Sequence, residues 1–331
     1  CMSTASAPST AAPAMAATQH NTFALEQLSP DFGFYLRTSS VLAERQSPMQ
    51  HIEIVETPQF GRLMRIDGCF MTSERDEFFY HEPMIHLPAI THGAPRRALI
   101  IGGGDGGAAE ELLKYPCMEQ VVLAELDADV IDMARQWLPN IHRGAFDDPR
   151  LQLHVGDGRA YIENCTQQFD QIVLDLTDPF GPAVALYTRD FYRACQRALR
   201  PGGVLSLHIQ SPIHRPQTLA RIMASLRSVF AVVQPWLQYV PLYGTLWGMA
   251  MASDTAHAAS ISPAEVDARI AQHNLRDLQL YSGNIHHALL AHPPFFQKLL
   301  AQPATPIDDG DELQDNSLDL QASRPLRLLE A

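Results

Sequence analysis

The feature that most constrains this chain is the run Gly102-Gly103-Gly104-Asp105-Gly106-Gly107, set between an apolar stretch and a helical one. Glycines there permit a tight strand-to-helix turn and let a ligand approach the backbone. Upstream, Arg97 to Ile101 reads as a short buried strand ending in Gly102; downstream, Ala108 to Lys114 reads as a helix. The unit recurs. Val121 to Glu125 is a second strand and Ala128 to Trp137 a second helix; Leu151 to Val155 is a third strand and Ile172 to Asp175 a fourth. Tyr187 to Leu199 reads as a helix stopped by Pro201-Gly202-Gly203, and Val204 to Ile209 as a fifth strand. Such alternation predicts parallel strands with helices on both faces, the doubly wound α/β class, whose ligands sit at the carboxyl ends of the strands. Polar residues just past each strand are therefore the candidates for chemistry.

Ahead of this unit the pattern differs. His51 to Val55 and Leu63 to Ile66 flank a turn at Phe60-Gly61-Arg62, which predicts a small antiparallel β-domain. Residues 74–92 then carry Phe78, Met84, Ile85 and Leu87 at helical spacing. The predicted organisation is a disordered tail at 1–20, a β-domain at 21–75, an α/β domain at 76–302 and a flexible tail at 303–331. Residues 1–20 are rich in Ala, Ser, Thr and Pro and lack the basic and apolar regions of a signal peptide. Residues 303–331 are polar, acidic and Pro-containing, and are expected to be loose. Ser262-Pro263-Ala264-Glu265 is a helix start.

The formal net charge of −13 argues against a nucleic-acid coat, since no basic stripe exists to displace counterions from phosphates, and against an anionic membrane surface. It suits cationic small molecules. No run of 18 apolar residues predicts a membrane span. Cys1, Cys69, Cys117, Cys165 and Cys195 are odd in number, widely spaced and without a CxxC pair, which fits a reducing compartment, and a cytoplasmic location is expected. No HExxH or GxSxG motif occurs, no Walker lysine follows the glycines, and no metal site is expected.

Glu125 closes the second strand about 20 residues past the glycine loop, where a carboxylate binds ribose hydroxyls, so a nucleoside-type ligand is expected. Asp105 stands at a helix N-terminus, a place that otherwise attracts anions. Negative charge there disfavours a phosphate or methionine carboxylate and favours a ligand ending in an ammonium. In Gly156-Asp157-Gly158, Asp157 can accept from an adenine amino group. In Asp175-Leu176-Thr177-Asp178-Pro179, two carboxylates at a strand end can face one cleft. An acceptor amine, with a pKa of ~10, is almost wholly ammonium at neutral pH and must lose a proton before it attacks carbon. One carboxylate can take that proton and the other can bind the far cationic end.

Together with Phe60-Gly61-Arg62-Leu63-Met64-Arg65-Ile66-Asp67-Gly68, Glu74-Arg75-Asp76-Glu77-Phe78-Phe79-Tyr80-His81-Glu82 and Tyr187 to Tyr192, these motifs make residues 45 to 300 resemble the polyamine aminopropyltransferase family, particularly bacterial spermidine synthases. The resemblance implies a Rossmann-like, class I methyltransferase-like sheet behind a small N-terminal antiparallel β-domain, assembled as homodimers or homotetramers. It implies decarboxylated S-adenosylmethionine as co-substrate, no tightly bound cofactor and a polyamine acceptor. By position it assigns Gln50, Asp105, Glu125, Asp157, Gly158 and Pro182 to the donor. It assigns Tyr80, His81, Asp178 and Tyr243 to the acceptor, and Asp175 to proton abstraction.

Three departures bear on the acceptor. Met71 stands where putrescine-type enzymes commonly carry Gln. Leu176 replaces a small Ser or Cys. The stretch Val240 to Gly248, with Trp247, is one residue shorter than the usual loop. Putrescine is the default acceptor; agmatine, cadaverine or a triamine are alternatives within the same chemistry, and a methyltransferase using intact S-adenosylmethionine is the alternative from another class.

Overall fold

The computed structural model describes residues 22–29, 32–179, 181–313 and 327–328. The expected tail at 1–20, and residues 314–326 and 329–331 of the expected C-terminal tail, lie outside the described residues.

The chain opens with β1 (Thr22–Ser29) and β2 (Phe32–Thr38), an antiparallel pair. A second antiparallel sheet follows in simple order: β3 (Ser40–Gln46), β4 (His51–Thr57), β5 (Gly61–Ile66) and β6 (Cys69–Ser73). Asp67 and Gly68, both at positive φ (49° and 87°), form the two-residue turn between β5 and β6, a geometry whose twist matches the strands it joins. Val55, Leu63 and Phe70 pack with Ala24 of β1 in a small core between the two sheets.

Next come α1 (Glu77–His92), β7 (Arg97–Gly102), α2 (Gly107–Leu113), β8 (Gln120–Glu125), α3 (Ala128–Trp137), α4 (Pro139–His142) and β9 (Leu151–Val155). They continue with α5 (Gly158–Glu163), β10 (Phe169–Asp175), α6 (Arg189–Ala198), β11 (Leu199–Gln210), α7 (Pro216–Arg227), β12 (Val232–Val240) and β13 (Thr245–Ser253). The seven strands lie in the order β12-β13-β11-β10-β7-β8-β9; β7 to β11 are parallel, and β12 and β13 run antiparallel at one edge. Successive residues of one strand serve opposite faces. Ala98 and Ile100 of β7 join Met84, Ile85 and Leu112 in one core, while Leu99 and Ile101 join Phe191, Leu219 and Ile222 in the other. Burial on both faces is why these strands read as unbroken apolar runs.

The order turns at β7: β8 and β9 lie to one side and β10 and β11 to the other. The crevice expected at such a switch point lies between the carboxyl ends of β7 and β10.

Two expectations are corrected. The helix read from Tyr187 to Leu199 begins at Arg189, capped by Thr188, and ends at Ala198, and Pro201-Gly202-Gly203 lie inside β11, which begins at Leu199 rather than at Val204. The cause is a register shift: Leu199 already faces Phe169 of β10, and regular pairing resumes at Val204, so Pro and Gly fill an irregularity in the strand. Residues 303–313 are not loose. After α8 (Pro263–Gln272), α9 (Gly283–Leu289) and α10 (Pro294–Leu300), this segment crosses the face carrying α5, α6 and α7. Ile307 is fully buried, its N–H bonds Ser225 Oγ at 2.7 Å, and Asp309 pairs with Arg159 at 2.6 Å. Asp308 pairs with Arg189 at 2.5 Å, and Asp311 pairs with Arg221. Acidic composition suggested disorder; the arginines that neutralise it come from three other elements. The last described pair, β14 (Arg327–Leu328), lies beside β1.

Candidate active site

Gly102 stands opposite Asp175 in the β7–β10 register, and Gly103 N–H donates to the Asp175 carbonyl at 2.9 Å. A side chain at Gly103 would meet the Asp175 carboxylate at 3.0 Å. The glycine run thus lets the loop lie directly against the end of β10. The resulting cleft, about 370 Å³, is lined by Gln50, Tyr80, His81, Asp105, Glu125, Asp157, Gly158, Asp175, Pro182 and Tyr243. Asp178 is not on its wall.

At the centre, ligand-capable atoms of His81, Asp105 and Asp175 all lie within 4.8 Å of one another. His81 Nε2 is 3.7 Å from Asp105 and 3.9 Å from Asp175. Its Nδ1 bonds the buried Glu77 carboxylate at 2.8 Å, and Glu77 in turn pairs with Arg143 at 2.8 Å. The ring has this place because residue 107 is glycine: a Cβ there would sit 2.2 Å from it. Burial alone would lower the His81 pKa, but Asp105, Glu77 and Asp175 outweigh burial and push it up to about 10. Two carboxylates against one imidazolium leave net negative charge, which matches a single ammonium. Enclosure and the repulsion of Asp105 raise Asp175 to about 6, with His81 and a bond from Tyr80 opposing. Asp175 is therefore ionised at neutral pH yet more basic than an ordinary aspartate. Asp105 also accepts the Gly107 N–H at 2.9 Å, as an acid at the start of α2 should.

Glu125 marks the other end of the cleft. Burial raises it to about 7, against the lowering effect of the Asp127 N–H, which it accepts at 3.0 Å. Asp127 caps α3 and accepts Gln50 Nε2 at 3.1 Å and Ser47 Oγ at 2.6 Å. These bonds fasten the N-terminal sheet to the end of β8 and place Gln50 on the cleft. Asp157 caps α5 through the N–H groups of Arg159 and Ala160, at 2.8 and 3.3 Å. A Cβ at Gly158 would strike Ile101 at 2.5 Å, so that glycine lets α5 close on β7. Pro182 belongs to the 3₁₀ turn Gly181–Leu186, which Arg159 holds by a 3.0 Å bond to the Ala185 carbonyl.

Tyr243 ends the 3₁₀ turn Pro241–Tyr243, which joins β12 to β13. Its hydroxyl donates to the Met71 carbonyl at 2.8 Å, and its ring stands edge-on to Tyr80, centroids 6.1 Å apart. Trp247 does not line the cleft; it packs behind Tyr243, centroids 4.9 Å apart. Leu176 and Met71 do line it. Asp178 accepts Gln210 Nε2 at 2.8 Å and faces a small side cavity with Glu26. Burial pushes Glu26 up to about 8, against a bond from the Phe70 N–H.

Sequence reasoning did not single out Glu77, Asp127, Glu26 or Arg159. Asp127 was accessible as a capping residue ahead of α3. Glu26 was not, since it lies on an N-terminal strand that meets the cleft only through tertiary packing.

Comparison with known proteins agrees with this geometry. Residues 77–262 match the family model described as "Spermine/spermidine synthase domain", and residues 22–74 match "Spermidine synthase tetramerisation domain". A polyamine aminopropyltransferase of Nitrosomonas europaea is 72% identical over 308 residues, covering 93% of this chain and 95% of its own. Polyamine aminopropyltransferase 2 of Hyperthermus butylicus is 39% identical over 255 residues, covering 76% of this chain and 84% of its own. Among solved structures, a spermidine synthase in complex with the transition-state analogue AdoDATO superposes with a TM-score of 0.80 at 32% identity, over 87% of this chain and 98% of that one. Spermidine synthase from Thermotoga maritima gives 0.78 at 31%, over 87% and 97%.

Proposed function

This chain belongs to the spermine/spermidine synthase family of aminopropyl-transferring enzymes, and from that premise we propose that it moves the aminopropyl group of decarboxylated S-adenosylmethionine to putrescine, giving spermidine and 5′-methylthioadenosine. The observation that carries the reading is the Asp105–His81–Asp175 cluster at the middle of a cleft with Glu125 at one end and Tyr243 towards the other. It offers negative charge where a methionine carboxylate would lie, which favours the decarboxylated donor over the intact one and sets aside the methyltransferase alternative.

In this reading Glu125 binds the ribose, Asp157 and Pro182 border the adenine, and Gln50 closes the donor side. Asp105 faces the ammonium of the aminopropyl arm. Tyr80, His81 and Tyr243 surround the acceptor, while Asp178 faces the side cavity it shares with Glu26. Asp175 takes a proton from the acceptor ammonium; the freed nitrogen lone pair attacks the propyl carbon next to sulfur. The C–N bond forms as the C–S bond breaks, and its electron pair stays on sulfur, turning the sulfonium into a neutral thioether. No acid is needed for that leaving group, so the demands on the protein are orientation and deprotonation. The match of residues 22–74 to a tetramerisation domain supports an oligomer.

Met71 and Leu176 on the cleft wall keep agmatine, cadaverine and a triamine as competing acceptors. The test is the protein with decarboxylated S-adenosylmethionine and each amine, products resolved by mass. Putrescine is expected to give the highest kcat/KM. Preference for another amine would overturn the acceptor while keeping the reaction; absence of product with every amine, together with turnover of intact S-adenosylmethionine, would overturn both.

A further inference from the structure

Asp76 immediately precedes α1, where an aspartate ordinarily caps its own helix. Its carboxylate makes no such bond. Instead Oδ2 accepts the backbone N–H of Leu242 at 2.6 Å, and Oδ1 accepts the Ser73 hydroxyl. Asp76 is 4% exposed and Leu242 1% exposed, so this is a charge-assisted bond shielded from water, the strong kind. Burial raises the Asp76 carboxyl above the ordinary aspartate range; Ser73 and the Leu242 N–H act in the opposite direction.

The two ends of this link matter for the site. Asp76 leads into the helix that carries Tyr80 and His81. Leu242 is the middle of the turn Pro241–Tyr243, and Gly244 closes that turn at φ 62°. The turn has two further ties: Tyr243 Oη to the Met71 carbonyl at 2.8 Å, and the Gln238 side chain of β12 to the Phe79 carbonyl. Among these, Asp76 supplies the one charged group, and it holds the backbone of the turn rather than a side chain.

We propose that Asp76 is a positioning residue for the amine acceptor: it latches the Pro241–Tyr243 turn to α1 and, through Tyr243, sets how tightly the amine is held. The proposal rests on the aminopropyl-transfer reading above. Removing the latch leaves the donor end, built on Glu125, Asp127 and Gln50, in place.

The test compares Asp76→Ala and Asp76→Asn in steady-state kinetics with putrescine, with decarboxylated S-adenosylmethionine affinity measured separately. D76A should raise the amine KM by about tenfold or more, the scale of one lost charge-assisted bond, while donor affinity stays within about twofold. D76N keeps an oxygen for the Leu242 N–H and should recover most of the amine KM. Hydrogen exchange at the Leu242 amide should quicken in D76A and not in D76N, while the amides of the donor end stay protected in both; exchange that quickens throughout D76A would mark unfolding, and the comparison then rests on the amine KM of D76N against wild type, which the latch predicts to be nearly equal. An unchanged amine KM in D76A, equal loss of amine and donor affinity, or a D76N as impaired as D76A would overturn the latch; the last result would assign the charge itself to the amine. Absence of product from wild type with every amine would instead overturn the reading on which the latch rests.

Discussion

At the scale of single residues, the site is a problem in charge placement. Asp105 and Asp175 repel one another, and His81 lies between them. Asp105, Glu77 and Asp175 together keep His81 a cation, and Glu77, which bonds its Nδ1, is itself balanced by Arg143. The sign of the pH dependence follows. Asp175, raised to about 6, must be ionised to accept a proton, so kcat/KM should rise as pH passes upward through about 6 and fall below it. Glu77→Gln should let His81 lose its proton near neutrality. Asp105 and Asp175 would then face each other without a cation between them, and the acid limb should move to higher pH, costing about fivefold in kcat/KM at pH 6 for a displacement of one unit and about tenfold well below pH 6. Nitrogen NMR of the His81 ring should show no titration between pH 6 and 8 in wild type and a titration in E77Q; an unmoved limb with an unmoved ring would refute this account of Glu77. Asp105, Glu125 and Asp175 were legible in the sequence because each ends a strand or opens a helix beside glycine. Glu77 was not, because its role depends on Arg143, 66 residues away in the chain. Asp178 matched an acceptor position by resemblance, yet it faces a side cavity with Glu26, a distinction that spacing in a motif does not carry.

At the scale of elements, the alternating strands and helices from Arg97 to Ile209 were readable because parallel strands buried on both faces are short apolar runs separated by amphipathic helices. The reading assigned no strand between Val232 and Ser253, where β12 and β13 pair along their whole length. Pro235 interrupts one, and the other, Thr245–Ser253, is almost wholly buried and so shows little alternation. That pair is what carries the turn bearing Tyr243. The segment 303–313 shows the reverse error, a polar stretch ordered by partners distant in sequence. Its anchor is Ile307, fully buried beside Phe296 and Leu299. Ile307→Ala should destabilise the protein by about 2–4 kcal/mol in urea unfolding while leaving the amine KM unchanged. A loss below about 0.5 kcal/mol, the range of neutral surface substitutions, would mean that the segment does not belong to the core.

At the scale of the whole molecule, the strand order brings together side chains from distant segments. The reversal at β7 opens the crevice, the N-terminal sheet contributes Gln50 and Met71, α1 contributes Tyr80 and His81, and the β12–β13 hairpin brings Tyr243 to the wall of the cleft. Among the described residues no helix is long and apolar enough to cross a membrane. The most direct test of the central claim is the stoichiometry of the reaction and its dependence on one carboxylate. Wild-type protein and Asp175→Asn would be incubated with decarboxylated S-adenosylmethionine and putrescine, with 5′-methylthioadenosine and spermidine both quantified by mass. The account predicts equal amounts of the two products from wild type and, from D175N with donor affinity intact, a rate lower by about 10²–10⁴-fold, the usual contribution of a general base. Methylthioadenosine formed without an aminopropylated amine, or a D175N turnover equal to wild type, would contradict it.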